Sequence, residues 1–182
     1  MPPLNFIVPS ASSGAAISLL GPLVITIPPL IVNAANIYLL GGSGVCGAIF
    51  KAAGAKELQA ECDTLSPIKT GEAVITKGYN LKAKYIIHTP GPRYSGPEDA
   101  VLLRNSYYNS LKLADEYKLN SISFPSIGTG VYRYPLEDAA KVAIAAIHEF
   151  LNDYPNTTIK EIYFYLFDDN TYYTYMNELN KR

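Results

Sequence analysis

Apolar positions in this chain switch repeatedly between helical spacing and short buried runs. From Gly44 onward Val45, Ala48, Ile49, Ala52 and Ala53 recur at 3.6-residue spacing, which predicts a helix running to about Cys62. Val101, Leu103, Tyr107, Leu111 and Ala114 line one face of a helix predicted over 98–118. Leu136, Ala139, Ala140, Ala143, Ile147 and Phe150 do the same over 136–151, and a closing helix is expected over 171–181. Between these, 73–76, 84–88, 121–125 and 161–167 read as strands. Near the start, 4–8 is a short apolar run bounded by prolines and is predicted to be an edge strand. Residues 9–21 lack periodicity and read as loop, and 23–27 reads as a strand stopped by Pro28 and Pro29. Alternating strands and helices with no repeat or linker predict one α/β domain over 1–182, built on a largely parallel central sheet.

Charge narrows the function classes. The 182 residues carry a net charge of −1 with no basic run, which argues against nucleic acid as the main ligand. The first 50 residues hold no Asp, Glu, Lys or Arg, yet Pro9, Gly14, Gly21, Pro22, Pro28 and Pro29 interrupt them too often for a membrane helix. A secretory signal would need a basic start, so a charge-free lead-in over 1–30 and a cytoplasmic location are expected. Cys46 and Cys62 make no disulfide framework, and with His88 and His148 they make no zinc signature, so no metal is expected.

Candidate chemistry gathers at residues 31–50. A short apolar run, Ile31-Val32, stops at Asn33 and Asn36; Gly41, Gly42, Gly44 and Gly47 follow, and then the first helix. Glycines let main-chain N–H groups approach a ligand, and a helix start points unpaired N–H groups at the same place. Anionic oxygens, phosphate above all, suit such a turn. Gly42 to Gly47 also fits the G-x-G-x-x-G dinucleotide pattern. In that pattern the first glycine follows its strand almost at once, whereas here eight residues, Ala34 to Gly41, intervene. Asp63 has the spacing of the acidic partner but lies in what reads as a helix exit. A second Gly-rich loop leaves the strand that ends near Pro125, so both loops are expected at the carboxyl end of the sheet, enclosing a diphosphate.

Residues 31–50 resemble the first ligand loop of the macrodomains, ADP-ribose-binding α/β domains whose loop reads close to VNAAN, a spacer, GGGGV and a helix. The resemblance continues in order through Thr70-Gly71-Glu72-Ala73, through Tyr85-Ile86-Ile87-His88-Thr89 with Pro90-Gly91-Pro92, and through Phe124 to Pro135. It implies a three-layer α/β/α macrodomain with a mixed, largely parallel sheet, binding ADP-ribose or ADP-ribosylated protein as a monomer without a cofactor. It further implies that Asn36 and Tyr132 serve the distal ribose. Asn33, Gly42, Ser43, Gly44 and Val45 belong to the first loop; Ser126, Ile127, Gly128, Thr129, Gly130 and Val131 belong to the second; Phe167 packs on adenine. From the residues alone, Asn36 could equally cap its own loop, and Tyr132 and Phe167 could equally be core. His88 is expected to be a hydrogen-bonded structural residue and His148 to be solvated.

Two positions depart from the family pattern. Hydrolytic members of the MacroD type carry aspartate where this chain has Cys46, and a thiol with a pKa of about 8.5 is a poor base at neutral pH. The family's Gly-Asp-Ile-Thr turn, whose aspartate holds the adenine amino group, has no acidic counterpart in 1–50, leaving Asp168 or a backbone group as the substitute. The resemblance implies a mono-ADP-ribosyl hydrolase or O-acetyl-ADP-ribose deacetylase acting through a positioned water. Replacement of aspartate by Cys46 favours a non-catalytic ADP-ribose reader instead, and the glycine pattern leaves a nicotinamide dinucleotide oxidoreductase as a third alternative.

Overall fold

The computed structural model describes residues 28–181 together with the backbone of two short strands, Asn5–Pro9 and Ala16–Ile17. These two are β1 and β2; β3 is Leu30–Ala35, β4 Val74–Lys77, β5 Tyr85–Pro90, β6 Ser121–Phe124 and β7 Glu161–Phe164. The helices are α1 Gly44–Ala53, α2 Ala55–Leu65, α3 Ala100–Glu116, α4 Leu136–Asp153 and α5 Asp169–Leu179. Strand order is β2-β1-β7-β6-β3-β5-β4. Every pairing from β1 to β5 is parallel, and the outer pairs β1–β2 and β4–β5 are antiparallel. The largely parallel sheet expected from the alternation of elements is therefore present, and its antiparallel outer pairs make it mixed, as the family resemblance implies.

Period-two alternation along the central strands divides two cores. Leu30, Val32, Ile87, Ile122, Phe124, Ile162 and Phe164 face one way and pack with residues of α3, α4 and α5 such as Leu103, Leu111, Ala143, Ile147 and Tyr175. Ala35 and Ile86 face the other way, against Phe50, Ala53, Leu58 and Cys62 of α1 and α2. Helices thus cover both faces of the sheet, and each buried Leu, Ile or Phe contributes about 1.5–3 kcal/mol through lost apolar exposure.

Several boundaries differ from the sequence expectation. The helix expected over 44–62 is two helices, because Gly54 (φ 99) turns the chain after its N–H bonds the Phe50 carbonyl at 3.2 Å. β1 is not an edge strand, since it pairs with both β7 and β2. Of the loop expected over 9–21, Pro9 belongs to β1 and Ala16–Ile17 form β2; the rest, and the strand expected over 23–27, lie outside the described residues. β3 does not stop at Asn33 but runs through it to Ala35. β7 ends at Phe164, short of 167, and a 3₁₀ turn, Pro97–Asp99, precedes α3. Among the described residues no helix is long and apolar enough to cross a membrane.

Candidate functional site

β3 and β6 are parallel neighbours, with Ile31 opposite Ser123, so the loops after Ala35 and after Phe124 leave the sheet side by side. Between them lies a cavity of about 340 Å³. Its first wall is Ala34, Ala35, Asn36, Gly42, Ser43, Gly44, Val45 and Cys46. Its second wall is Pro125, Ser126, Gly128, Gly130, Val131 and Tyr132, with Gly91 from the end of β5. An apolar hollow of about 380 Å³, bounded by Ile31, Ile49, Phe124 and Tyr165, adjoins it and shares Val45 and Pro125.

Asn36 organises the first loop. Its Oδ1 accepts from the N–H groups of Tyr38 (3.1 Å) and Leu40 (3.2 Å), and its Nδ2 donates to the Leu40 carbonyl (2.8 Å). The Gln59 side chain ties the loop to α2 by accepting from the Gly41 N–H at 3.0 Å. Gly47 permits the loop to lie on α1, because a Cβ there would overlap the Gly42 carbonyl oxygen. No side chain caps α1 and no acidic residue occupies its first turn. Its unpaired N–H groups and the positive end of its dipole therefore meet the cavity without an internal anion.

The second loop is held from within and from below. Thr129 Oγ1 donates to the Ser126 carbonyl (3.1 Å), the Tyr134 N–H to the Gly128 carbonyl (3.0 Å) and the Arg133 N–H to the Gly130 carbonyl (2.9 Å). Gly128 takes φ 82, which suits only glycine comfortably. Below, the Ile127 N–H donates to Tyr107 Oη (3.0 Å), and Ser126 Oγ lies 2.9 Å from Tyr175 Oη. Tyr132 is a wall residue, not core: its carbonyl accepts from the Tyr94 N–H at 3.0 Å, and the Arg93 guanidinium lies 5.1 Å from its ring centre.

Behind the first wall is a buried polar layer, in which Asn33 Oδ1 has no hydrogen-bond partner among the described residues. Asn33 is fully buried and its Nδ2 meets His88 Nδ1 at 3.1 Å and Cys46 Sγ at 3.5 Å. Thr76 Oγ1 donates to the Lys77 carbonyl (3.2 Å) and lies 3.0 Å from His88 Nε2. Thr76 therefore accepts from Nε2–H, and Nδ1 is left to accept from Asn33. Burial lowers the His88 pKa to about 4, so the ring is neutral and structural, as expected. Burial, reinforced by Glu61 and Asp63, pushes the Cys62 thiol up to about 12.

The remaining predicted site residues divide. Asn33 supports the loop from this layer and is not on the cavity wall, and Ile127 is fully buried beneath it. Thr129 braces the second loop. Phe167 is 91% exposed and bounds neither hollow, whereas Tyr165 bounds the apolar one. Asp168 caps α5, accepting from the Thr171 N–H at 2.8 Å, which holds its carboxyl below the ordinary range. Asp63 lies within α2 beside Gln59, not at a strand end, which removes the acidic partner a dinucleotide fold would need. His148 is partly buried on α4. Sequence reasoning missed Gly91 as a wall residue and the two tyrosines below the loop. Gly91 lay inside Pro90-Gly91-Pro92, and a Cβ there would meet Ile127 Cγ2 at 2.6 Å. Among the described residues no group of three or more His, Cys, Asp or Glu could hold a metal ion. Among the described residues the cavity wall contains neither carboxylate nor imidazole, so its polar groups are N–H groups, the Asn36 amide, hydroxyls and the Cys46 thiol.

Comparison with known proteins agrees with this geometry. Residues 32–143 match the model of the Macro domain. A Macro domain-containing protein of Chlorobaculum tepidum is 50% identical over 151 residues, 82% of this chain and 86% of that one. The ADP-ribose glycohydrolase MACROD1 of Mus musculus is 50% identical over 127 residues, 68% of this chain and 39% of its own length. Among solved structures, the Trypanosoma brucei macrodomain in complex with ADP-ribose is similar, with TM-score 0.76 and 40% identity. That likeness covers 84% of this chain and 63% of the other.

Proposed function

Since the chain belongs to the Macro domain family, we propose that the cavity binds ADP-ribose and that the protein hydrolyses ADP-ribosyl linkages. Its substrates are mono-ADP-ribosylated protein side chains or the related O-acetyl ester. The observation that carries this reading is the pair of N–H-rich loops facing each other across one cavity, with the uncapped start of α1 in the first wall. A diphosphate takes those donors. The adjoining apolar hollow beside Val45, Pro125 and Tyr165 suits the adenine face, and the Asn36–Tyr132 side suits the distal ribose.

Without a wall carboxylate, catalysis rests on position and electrostatics. On the protein-linked substrate, a water held near the anomeric carbon by Asn36 and by the substrate's own phosphate adds there as the bond to the acceptor breaks. The acceptor departs with the bonding electron pair, and the water's surplus proton passes to solvent. On the O-acetyl ester the water adds to the acetyl carbonyl carbon, and acetate is released with the ribose hydroxyl as the leaving group. Cys46, buried between Asn33 and the Leu40 carbonyl, supports the loop and takes no part in this step. The cytoplasm and a monomeric state belong to the same proposal.

Titration calorimetry with ADP-ribose tests binding, and release of ADP-ribose from a mono-ADP-ribosylated protein tests turnover. Binding with turnover is expected. Tight binding without release would identify a reader module, the reading favoured by a cysteine where hydrolytic relatives carry aspartate. NAD binding as tightly as ADP-ribose would overturn the assignment of a closed distal-ribose pocket.

A further inference from the structure

Three hydroxyls run from the core to the cavity wall. Tyr107 of α3 and Tyr175 of α5 are both fully buried, and their Oη atoms lie 3.3 Å apart. Tyr175 Oη lies 2.9 Å from Ser126 Oγ, and Ser126 is on the cavity wall. Tyr107 accepts from the Ile127 N–H (3.0 Å) and reaches the Pro125 carbonyl (3.4 Å). Burial holds both phenols above their ordinary pKa, so they act here as neutral donors and acceptors.

Resting on the ADP-ribose reading, we propose that Tyr107 and Tyr175 are positioning residues that direct the Ser126 hydroxyl proton at the ligand's diphosphate. Counting protons gives two complete arrangements. In one, Ser126 donates inward to Tyr175, Tyr175 to Tyr107, and Tyr107 to the Pro125 carbonyl. In the other, Tyr107 donates to Tyr175, Tyr175 donates to Ser126, and the Ser126 proton is free to point into the cavity. Both satisfy the buried phenols, so the chain reverses by rotating hydroxyls, without moving heavy atoms. An anionic oxygen beside Ser126 selects the outward arrangement, and a donor that is itself hydrogen-bonded is strengthened by its neighbour. Two consecutive second-loop residues, Ser126 and Ile127, hang on this pair, so it also fixes the height of that loop above the sheet.

The test measures ADP-ribose affinity by calorimetry for wild type, Ser126→Ala, Tyr175→Phe and the double variant, with thermal melting in parallel. A lost hydrogen bond to a charged oxygen predicts about tenfold weaker binding for Ser126→Ala. Tyr175→Phe is expected to weaken binding several-fold, and the double variant to bind like Ser126→Ala alone, because Tyr175 acts through Ser126. An equal loss from Tyr175→Phe in both backgrounds would mean that it acts only through packing, and the relay would be wrong. Wild-type affinity for Ser126→Ala would overturn it as well, and that result would stand even if Tyr175→Phe folds poorly. Failure of wild type to bind ADP-ribose at all would instead overturn the ligand assignment.

Discussion

Asn36 holds both polar ends of Leu40: its Oδ1 accepts from the Leu40 N–H at 3.2 Å and its Nδ2 donates to the Leu40 carbonyl at 2.8 Å. The residue assigned to the distal ribose is thus also the clamp of the loop that forms the wall. Asn36→Ala is expected to act twice. Losing these bonds lowers stability by about 1–2 kcal/mol, read as a lower melting temperature. Losing the orienting amide lowers ADP-ribose release at saturating substrate by about 10²–10³. Unchanged release at saturation, with only melting affected, would leave Asn36 as a clamp alone.

Gly42 offers a clean probe of the first wall. A Cβ there meets nothing within 4 Å, and Gly42 is not among the positive-φ residues, unlike Gly44 at φ 59. Gly42→Val is therefore expected to melt like wild type while losing most ADP-ribose affinity in calorimetry. Gly44→Val would confound the two effects, since strain at its backbone destabilises the start of α1.

Cys46 separates hydrolase from reader. Among the described residues its Sγ pairs with the Asn33 amide and the Leu40 carbonyl, at sulfur distances of 3.5–3.6 Å. Cys46→Ala is expected to leave release within a few-fold of wild type. Cys46→Asp is expected to raise release or leave it unchanged, by placing a carboxylate where it can orient water. Abolition of release by Cys46→Ala in the same assay would make the thiol catalytic and the water-based mechanism untenable.

Stability should depend on pH through His88. Its folded pKa is about 4 against about 6.5 for a free imidazole, so the unfolded chain binds more protons between those values. The contribution is complete above pH 6.5 and is lost as pH falls toward 4, by roughly 3 kcal/mol. Denaturant unfolding between pH 4 and 7 should show this loss in wild type and not in His88→Gln. Parallel pH profiles for the two proteins would mean that the ring is not held neutral.

The architecture and the two loops were legible because they rest on local signals: 3.6-residue spacing, short buried runs and glycines after strands. What escaped was decided by partners distant in sequence. Asn33 reads as the end of an apolar run, yet β3 continues through it because His88, 55 positions away, answers its amide. Tyr107 was read as one more apolar-face residue. Its hydroxyl finds Tyr175 68 positions on, and no periodicity reports that. Gly54 escaped for the opposite reason, since alanines on both sides continue a helical pattern through a residue that leaves the helix. Phe167 was expected at a strand end, but β7 stops three residues earlier and the ring faces solvent.

The parallel pairing of β3 with β6 also acts as a gauge. Neighbouring strands in a sheet keep a spacing of about 4.8 Å, and the two ligand loops spring from the ends of these two strands. The starting separation of the loops is therefore inherited from backbone pairing within the sheet, and the loops' own bonds set the rest of the opening. A change of side chain at Cys46 can alter what the wall does to a ligand without moving the strands beneath it. The strand pairing beneath the rim fixes where the two loops begin, whatever side chains line them.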